Sequence, residues 1–537
     1  MSVAIRGEVR ATACRLYRFE VTRTMRLRIS GLVLAGSLAL VFLAQSLLLF
    51  GSQLPGLFLL DETGYGDSYV LYDLRNFQNT GEIYRDLSQP PYLPALYSPL
   101  MYMLYSLPGR VVALENPFLG PRLVALTAFF LCISIVISIV RVLIPARRAW
   151  IWALLLTTSI VAFQQWGMWI VSARGDLPGI VFSLLTLRLL LARSRHAALF
   201  AGVSAGLAVQ FKITLVAALA AGFLWLLFRR KWRELGAFTA AGALSSLGLY
   251  FVFWAREPRM ISQMTALSPG IMDLPGACRL TFRAIREPVA LLSLLALPPI
   301  ASRFSPRWAL LFLFALISFA IAGLAELQAG ANMNYFLEAL LALVPAAVLG
   351  ILRLIHWARQ RVAVAAFLSA TLLFYFLPPI ALDLYETLWT QPSYRQVKTS
   401  NGRFRQTQNA LSGLHIFATV PRFALLDSAP ALMEPYLMSY MQLLGKFDPQ
   451  PILERVRNKE FDMVITAPRS INWRGVPHIA PNLHRAIEEA YEPQCTMIGV
   501  LVHIPRGRPA DGELMRALEK GGCAPLRGPT AAAGWSW

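Results

Sequence analysis

The chain has 537 residues, of which 56% are hydrophobic and only 15% are charged, and its mean hydropathy is +0.52. A soluble domain carries about a quarter charged residues, so this composition indicates a polytopic membrane protein. The net charge of +20 is also compatible with nucleic-acid binding. The arginines, however, fall in short clusters between apolar runs, which is the pattern of membrane topology and argues against nucleic acid as a partner.

The N-terminal segment predicts a membrane anchor. Residues 1–28 form an arginine-rich tail, and an apolar run follows over residues 29–50. The run is longer than the core of a cleaved signal peptide, and no small-residue cleavage site is clear. We therefore expect an uncleaved signal anchor whose basic tail lies in the cytoplasm.

The loop over residues 52–120 is acidic and aromatic near its start, and we expect it on the outer side of the membrane. Asp67 precedes residues 68–77, which have helical character, so its side chain suits a helix N-cap. A carboxylate held at the membrane surface also suits a general base, and the two roles are compatible. Three neighbouring carboxylates remain alternatives for that base: Asp61, Glu62 and Asp73.

Arginine clusters between the later apolar runs define the predicted topology. About eleven spans result, and every dense arginine cluster but one then lies on the cytoplasmic side. The apolar run 92–109 is not counted as a span, because crossing there would place the arginines of 141–148 outside. We expect it to form an interfacial helix instead. The predicted spans are 29–50, 121–140, 149–166, 177–192, 197–211, 214–228, 235–254, 288–302, 308–326, 336–352 and 362–380.

Polar residues at the outer ends of these spans are candidates for a binding site, since such residues are costly at membrane level. Asp176 opens a span and suits a helix N-cap equally well, while Arg174 suits either a carboxylate partner or a phosphate ligand. Lys212 lies between two short spans and could also extend to the interface. Asn334 could cap a late span, and Glu338 lies about one turn inside it.

The exceptional arginine cluster lies in the predicted outer loop 255–287. Arg279, Arg283 and Arg286 are spaced at i, i+4 and i+7, which places them on one face if the segment is helical. Cations on the outer side of the membrane need a reason, and a bound phosphate would provide one.

From about residue 390 the sequence becomes more polar, and short strands alternate with helices. This pattern predicts a small α/β domain over residues 390–505 on the outer side, with strands at 414–420, 423–426, 461–466 and 496–504. Residues 506–537 are rich in Gly, Pro and Ala and are expected to be disordered. Cys495 and Cys523 could pair in this location, although spacing alone does not establish a disulfide.

The order of these motifs resembles that of a known family. Gly81–Asp86 and Tyr97–Tyr102 follow the anchor and Asp67, and together they look like the first loop of GT-C membrane glycosyltransferases. The nearest group is that of the protein O-mannosyltransferase and aminoarabinose-transferase-like enzymes. The resemblance covers roughly residues 30–340 and continues through Pro121–Leu123, Arg174–Asp176, Lys212 and Asn334–Glu338.

The resemblance implies that residues 29–389 form a GT-C-like catalytic domain that takes a sugar from a polyprenyl-phosphate donor on the outer membrane face. Asp67 would be the general base and Asp176 a second catalytic residue that supports the site. The cations Arg174, Lys212, Arg279, Arg283 and Arg286 would neutralise the leaving lipid phosphate. Tyr97, Asn334, Tyr335 and Glu338 are the further candidates for substrate binding.

One departure from the family pattern concerns a metal. Tyr97-Ser98 stands ahead of Pro-Leu where relatives often carry His or an acidic residue beside Lys, which puts the need for a divalent metal in doubt. The six histidines do not cluster either, so a histidine metal site is not expected.

Two other classes of protein remain as alternatives to a transferase in the bacterial inner membrane. A transporter or lipid flippase would place polar residues in mid-membrane and often shows an inverted repeat, whereas here the polar residues lie at the outer side. A non-catalytic cell-envelope assembly protein could share the same fold. For a transferase, the sequence leaves open whether the acceptor is a glycan, a lipid or a protein.

Overall fold

The structure is a computed structural model of the chain. It describes residues 31–47, 51, 53–63, 66–111, 116–162, 168–192, 194, 196–268, 270–297, 305–360, single positions between 363 and 374, 394–423, 432–467, 472–507 and 512–526. The predicted tail 1–28 and most of the predicted span 362–380 lie outside these residues.

The described apolar runs are α-helices, since a helix satisfies its own backbone polar groups. Four described helices are long and apolar enough to cross a membrane, and others are shorter, so the predicted number of about eleven spans is not confirmed. Within the predicted span 288–302, a helix covers Pro288–Leu294, and residues 298–302 lie outside the described part. The helices are α1 Gly31–Leu47, α2 Asp67–Thr80, α3 Pro99–Val111, α4 Leu119–Leu143, α5 Ala149–Ala162, α6 Asp176–Leu190, α7 Ala197–Phe211, α8 Ala217–Phe228, α9 Trp232–Arg256, α10 Met260–Met264, α11 Leu274–Ile285, α12 Pro288–Leu294, α13 Pro306–Glu326 and α14 Leu337–Ala358.

Helices α6 and α7 approach each other closely, and two glycines make this approach feasible. A Cβ atom at Gly175 would lie 2.5 Å from the carbonyl oxygen of Phe211, and one at Gly179 would lie 3.1 Å from Phe211 Cβ. A larger residue at either position would force the two helices apart. The beginning of α6 and the end of α7 therefore lie side by side, which places Asp176 next to Lys212.

The predicted first loop contains two helices, α2 and α3, as its pattern predicts. Helix α3 has 13 residues within the described part, which is about 20 Å at 1.5 Å per residue. The predicted span α8 has 12 residues, so the interfacial position of residues 92–109 stays a prediction.

The C-terminal domain is an α/β domain built on a five-stranded sheet with strand order β1-β2-β6-β5-β7. Strands β1 and β2 are parallel, with Phe417 opposite Val464, and the other pairs are antiparallel. The elements are α15 Tyr394–Ala410, β1 Ile416–Ala418, α16 Pro435–Leu443, α17 Gln450–Arg457, β2 Met463–Thr466, β3 Asn472–Trp473, β4 Val476–Pro477, α18 Pro481–Ala490, β5 Tyr491–Met497, β6 Val500–Pro505, α19 Gly512–Lys520 and β7 Ala524–Pro525.

Two of the predicted strands need correction. The single strand predicted at 496–504 is a hairpin, because Ile498 and Gly499 have φ of 42° and 81° and form a two-residue turn between β5 and β6. Phe423 closes a 3-10 helix that spans Pro421–Phe423, and the rest of the predicted strand 423–426 lies outside the described residues.

The domain also extends beyond the predicted boundary at Pro505. Helix α19 buries Leu514 and Leu518, and strand β7 pairs with β5. Cys523 forms a disulfide with Cys495, at a Cα–Cα distance of 5.7 Å. The expectation of disorder is thus wrong for residues 512–525, while residues 527–537 lie outside the described part.

The C-terminal domain packs on the two loops that we predict to be outer loops. The Tyr92 N–H donates to the Leu432 carbonyl at 2.6 Å, and Arg422 lies 3.1 Å from Asp61. In the loop 255–287, the Ile271 N–H donates to the Tyr440 hydroxyl at 2.6 Å. Both loops and the domain therefore lie at the same end of the helices, which we call the loop face.

The cysteines provide a test of which side of the membrane the loop face occupies. In a Cys14→Ser background on spheroplasts, we expect a membrane-impermeant maleimide to label exposed Cys278 without lysis. Cys495 and Cys523 should react only after reduction, since disulfides persist in oxidising compartments. Labelling of Cys278 that requires lysis would place the loop face in the cytoplasm; buried Cys132 serves as the unreactive control.

Candidate active site

Arg122 of α4 holds the acidic segment that precedes Asp67. Its buried guanidinium donates to the carbonyl oxygens of Gly56 at 2.8 Å, Leu59 at 2.5 Å and Asp61 at 2.5 Å. It also stacks on Phe118, 4.5 Å from the ring centroid. A planar guanidinium can serve several carbonyl groups at once, which an ammonium on a flexible stem cannot do as well. The backbone leading to Asp67 is therefore fixed from within the helical bundle.

Asp67 is buried at the beginning of α2, with 1% of its surface exposed. Its Oδ1 accepts a hydrogen bond from Ser172 Oγ at 2.8 Å and lies 3.4 Å from Arg174 Nε. Its Oδ2 accepts from Thr63 Oγ1 at 3.1 Å. The carboxylate is thus held from both sides and directed toward the segment before α6.

The N-cap interpretation of Asp67 is wrong. Gly66, with φ of 84°, occupies the N-cap position, and the Ser68 N–H donates to Glu62 Oε1 at 2.8 Å. Glu62 therefore satisfies the helix start and leaves the Asp67 carboxylate to other partners. Asp176 is likewise the first residue of α6 rather than its N-cap, which is Gly175.

The four carboxylates of this region differ in environment. Asp61 pairs with Arg422 of the C-terminal domain at 3.1 Å. Burial, reinforced by the Asp67 charge, raises the pKa of Glu62 to about 8. Burial also raises the pKa of Asp73 to about 7, although Arg85 opposes the shift. These contacts separate the candidates that the sequence left equivalent.

Arg174 contacts both Asp67 and Tyr97 of the first loop. Its Nη1 donates to the Tyr97 hydroxyl at 3.1 Å, its guanidinium lies 5.6 Å from the Trp169 ring centroid, and its carbonyl accepts from Tyr105 Oη at 2.5 Å. The Arg174 side chain remains 21% exposed. An anion can therefore reach this cation without displacing the aspartate.

A second group of side chains surrounds Asp176. Its Oδ1 accepts from Lys212 Nζ at 2.6 Å and from Asn334 Nδ2 at 2.7 Å. The Lys212 ammonium also lies 3.7 Å from the centroid of the Tyr335 ring, as a cation–π contact. Arg174 and Lys212 are each close enough to Tyr97 to interact with it electrostatically, so the two groups are contiguous.

The remaining predicted site residues are Glu338, which is buried, and three arginines of the loop 255–287, which are exposed. Glu338 is buried in α14, accepts from Ser318 Oγ at 2.6 Å and interacts electrostatically with Lys212. The predicted arginine face is helical, since Arg279 and Arg283 belong to α11 and Arg286 follows it. All three arginines are exposed, and Arg286 stacks on Phe282. Their role at a lipid phosphate stays a prediction.

The carboxylates of the site do not resemble a metal centre. Within the described ranges, no group of three or more His, Cys, Asp or Glu side chains is arranged to hold a metal ion. Asp67 and Asp176 each form an ion pair instead, with Arg174 and Lys212 respectively.

Comparison with known proteins gives a fold. The chain superposes on ArnT from Cupriavidus metallidurans in the apo state with a TM-score of 0.57 and 12% identity, over 87% of this chain and 98% of ArnT. The same ArnT bound to undecaprenyl phosphate gives 0.53 and 12%, over 86% and 97% of the two chains. The chain therefore has the fold of ArnT.

Other comparisons are weaker. An apo oligosaccharyltransferase from Archaeoglobus fulgidus superposes with a TM-score of 0.47 and 12% identity, over 87% of this chain and 74% of that one. No family model and no curated protein matches the sequence.

Several residues of the site were missed from the sequence. Ser172 and Thr63, which hold Asp67, carry no signal of their own because small hydroxyl residues are common in loops. Arg122 did carry one: an arginine at the beginning of a long apolar helix must find acceptors, and here the acceptors are the carbonyls of the first loop.

The raised pKa of Glu62 predicts a pH-dependent stability. The folded state keeps the proton up to about pH 8, whereas an ordinary glutamate loses it near 4.5, so stability should fall across that window by up to ~1.4 kcal/mol per pH unit. Glu62→Gln keeps an acceptor for Ser68 and cannot ionise, so its thermal midpoint relative to wild type should rise from pH 4.5 to 8 and then level off. Exposed Glu82→Gln is the control, and the same trend in that variant would contradict the assignment.

The Asp176–Lys212 pair predicts a double-mutant result. Lys212→Met leaves a buried carboxylate with Asn334 as its remaining donor, and we expect a loss of about 3–5 kcal/mol in unfolding free energy. Lys212→Met combined with Asp176→Asn removes the stranded charge and should cost clearly less than the single change. Thermal unfolding in one detergent measures both; additive losses would show that the two side chains do not interact.

Proposed function

We propose that the protein is an integral membrane glycosyltransferase that moves a sugar from a polyprenyl-phosphate donor to an acceptor at the outer face of the membrane. The observation that supports this most directly is the pair of contacts at the loop face, where buried Asp67 lies 3.4 Å from Arg174 and Asp176 lies 2.6 Å from Lys212. Both cations are partly accessible. The fold shared with ArnT, which binds undecaprenyl phosphate, supports the donor class.

In this proposal Asp67 is the general base. The acceptor oxygen attacks the anomeric carbon, the bond from that carbon to the phosphate oxygen breaks, and the acceptor proton passes to Asp67. The lipid phosphate leaves with the bonding electrons and gains negative charge. Arg174 and Lys212 stabilise that developing charge. Stabilisation of this kind is usually the largest single contribution to lowering the activation barrier.

Asp67 is preferred over its neighbours because of their environments. Glu62, whose pKa is raised to about 8, keeps its proton at neutral pH and accepts from the helix start. Asp73 pairs with Arg85 at 3.1 Å, away from Arg174. Asp61 faces the C-terminal domain. Asp67 forms an ion pair with the proposed phosphate ligand Arg174 at 3.4 Å, so the proposed base and a leaving-group cation belong to one group of side chains.

Further residues of the candidate site are proposed to orient the donor. Asp176 fixes Lys212, and Asn334 fixes Asp176 in turn. Tyr97 and Tyr335 flank the two cations and offer ring surfaces on which a sugar can pack. The exposed arginine face on α11 would serve an incoming lipid headgroup rather than the reacting phosphate.

The base assignment predicts a separation of activity from folding. In a strain that lacks the gene, we expect polyprenyl-linked sugar to accumulate in lipid extracts, and the wild-type gene should reverse this. Asp67→Asn should insert at normal levels but fail to reverse it, with at least ~10²-fold lower transfer because the base is lost. The exposed carboxylate Asp86, on the same loop, provides the control Asp86→Asn, which should behave as wild type. Full complementation by Asp67→Asn would refute the assignment.

A further inference from the structure

An arginine of the C-terminal domain reaches into the helical domain next to the proposed active site. Arg474 lies in the two-residue turn between β3 and β4, where it has φ of 53° and Gly475 has φ of 87°. A non-glycine residue in this conformation is uncommon and persists where its surroundings hold it. Only 5% of the Arg474 side chain is exposed.

All three nitrogen atoms of the Arg474 guanidinium make polar contacts. Nε lies 2.5 Å from Asp273 Oδ2, and Nη2 donates to the carbonyls of Asp273 at 3.2 Å and Glu326 at 2.6 Å. Nη1 lies 3.2 Å from Glu326 Oε2 and donates to the Ala331 carbonyl at 3.1 Å. Arginine has five N–H donors in a fixed fork, and these contacts match that number, so lysine cannot reproduce them.

The space around this contact is shaped for an arginine. A Cβ atom at Gly276 would lie 2.7 Å from both Nε and Nη2 of Arg474, so a larger residue there would expel the guanidinium. The two segments that Arg474 joins are also paired with each other, since the Asp273 N–H donates to Leu327 and the Ala329 N–H to Ile271, both at 2.7 Å.

The segment after Ala331 is the one that presents Asn334 and Tyr335. Asn332 caps the 3-10 turn Met333–Phe336, which places Asn334 on Asp176 and the Tyr335 ring against Lys212. Arg474 therefore holds the beginning of a short segment whose end contacts the Asp176–Lys212 pair.

Glu326 gives Arg474 a buried charged partner at the end of α13. It is fully buried, and its Oε2 lies 3.2 Å from Arg474 Nη1. Such a pair is costly to break, because a buried carboxylate without its cation must stay uncompensated or take up a proton. The pair therefore fixes the end of α13 to the turn that carries Arg474.

We propose that Arg474 is a positioning residue of the active site: it orders the turn that carries Asn334 and Tyr335 and so keeps both side chains on the Asp176–Lys212 pair. The C-terminal domain would then contribute to the structure of the active site. This inference rests on the proposed function for its effect on lipid-phosphate binding, but its effect on the turn does not.

The first test measures order in the turn and needs no activity. In the full-length protein in nanodiscs, hydrogen exchange of peptides covering residues 331–340 should be at least ~10-fold faster in Arg474→Ala than in wild type. Arg474→Lys keeps the charge but loses the fork, so its exchange should be intermediate. Arg455→Ala removes a partly exposed pair with Glu460 in the same domain and should leave these peptides unchanged. Wild-type exchange in Arg474→Ala would overturn the ordering role.

The second test measures the consequence for the site, with undecaprenyl phosphate as the probe. The dissociation constant of this lipid should rise about tenfold in Arg474→Ala and less in Arg474→Lys, because the turn that carries Asn334 and Tyr335 is less ordered. Arg455→Ala should bind the lipid as wild type does, and wild-type affinity in Arg474→Ala would overturn the link between the turn and the site. If wild type itself does not bind the probe, the proposed donor class fails, whereas the exchange result still decides the ordering role.

Discussion

The contact between Lys212 and Asp176 is the constraint on which the arrangement of the site depends. An ammonium and a carboxylate at the ends of apolar helices are costly to bury, and each is tolerated because the other is 2.6 Å away. The pair requires the beginning of α6 and the end of α7 to meet, and Gly175 and Gly179 permit that approach. Asn334 then adds α14 to the same point, so three helices converge on one ion pair.

Irregular backbone at the loop face is held by arginines from other elements. Arg122 donates hydrogen bonds to carbonyl oxygens of the segment before Asp67. Arg474 donates to the carbonyl oxygens of Asp273, Glu326 and Ala331. The physical reason is the same in both places: a loop that packs on a helical bundle has carbonyl oxygens without helical partners, and a buried guanidinium offers several donors to them. Each arginine thereby orders a segment that bears a candidate site residue a few positions further along.

The sequence was most informative where one residue had a local physical requirement. Asp67, Asp176 and Lys212 were predictable because charges beside apolar helices need partners, and the structure brings them together with Arg174, Asn334 and Tyr335.

The Ile498-Gly499 hairpin was missed because isoleucine rarely adopts a positive φ. The ordered segment 512–525 was missed because its order depends on pairing with β5 and on Cys495, neither of which is local. Arg474 was missed for the same reason, since its acceptors lie about 150 and 200 positions earlier in the chain.

The two catalytic carboxylates proposed at the loop face are each paired with a cation before any substrate arrives. Asp67 pairs with Arg174 and Asp176 with Lys212, while Arg474 pairs with both Asp273 and Glu326. A polyprenyl-phosphate sugar carries one negative charge, and the phosphate released from it carries about one more. The proton that passes from the acceptor to Asp67 removes one negative charge at the same time. The total charge near Arg174 and Lys212 therefore stays constant through the proposed transfer.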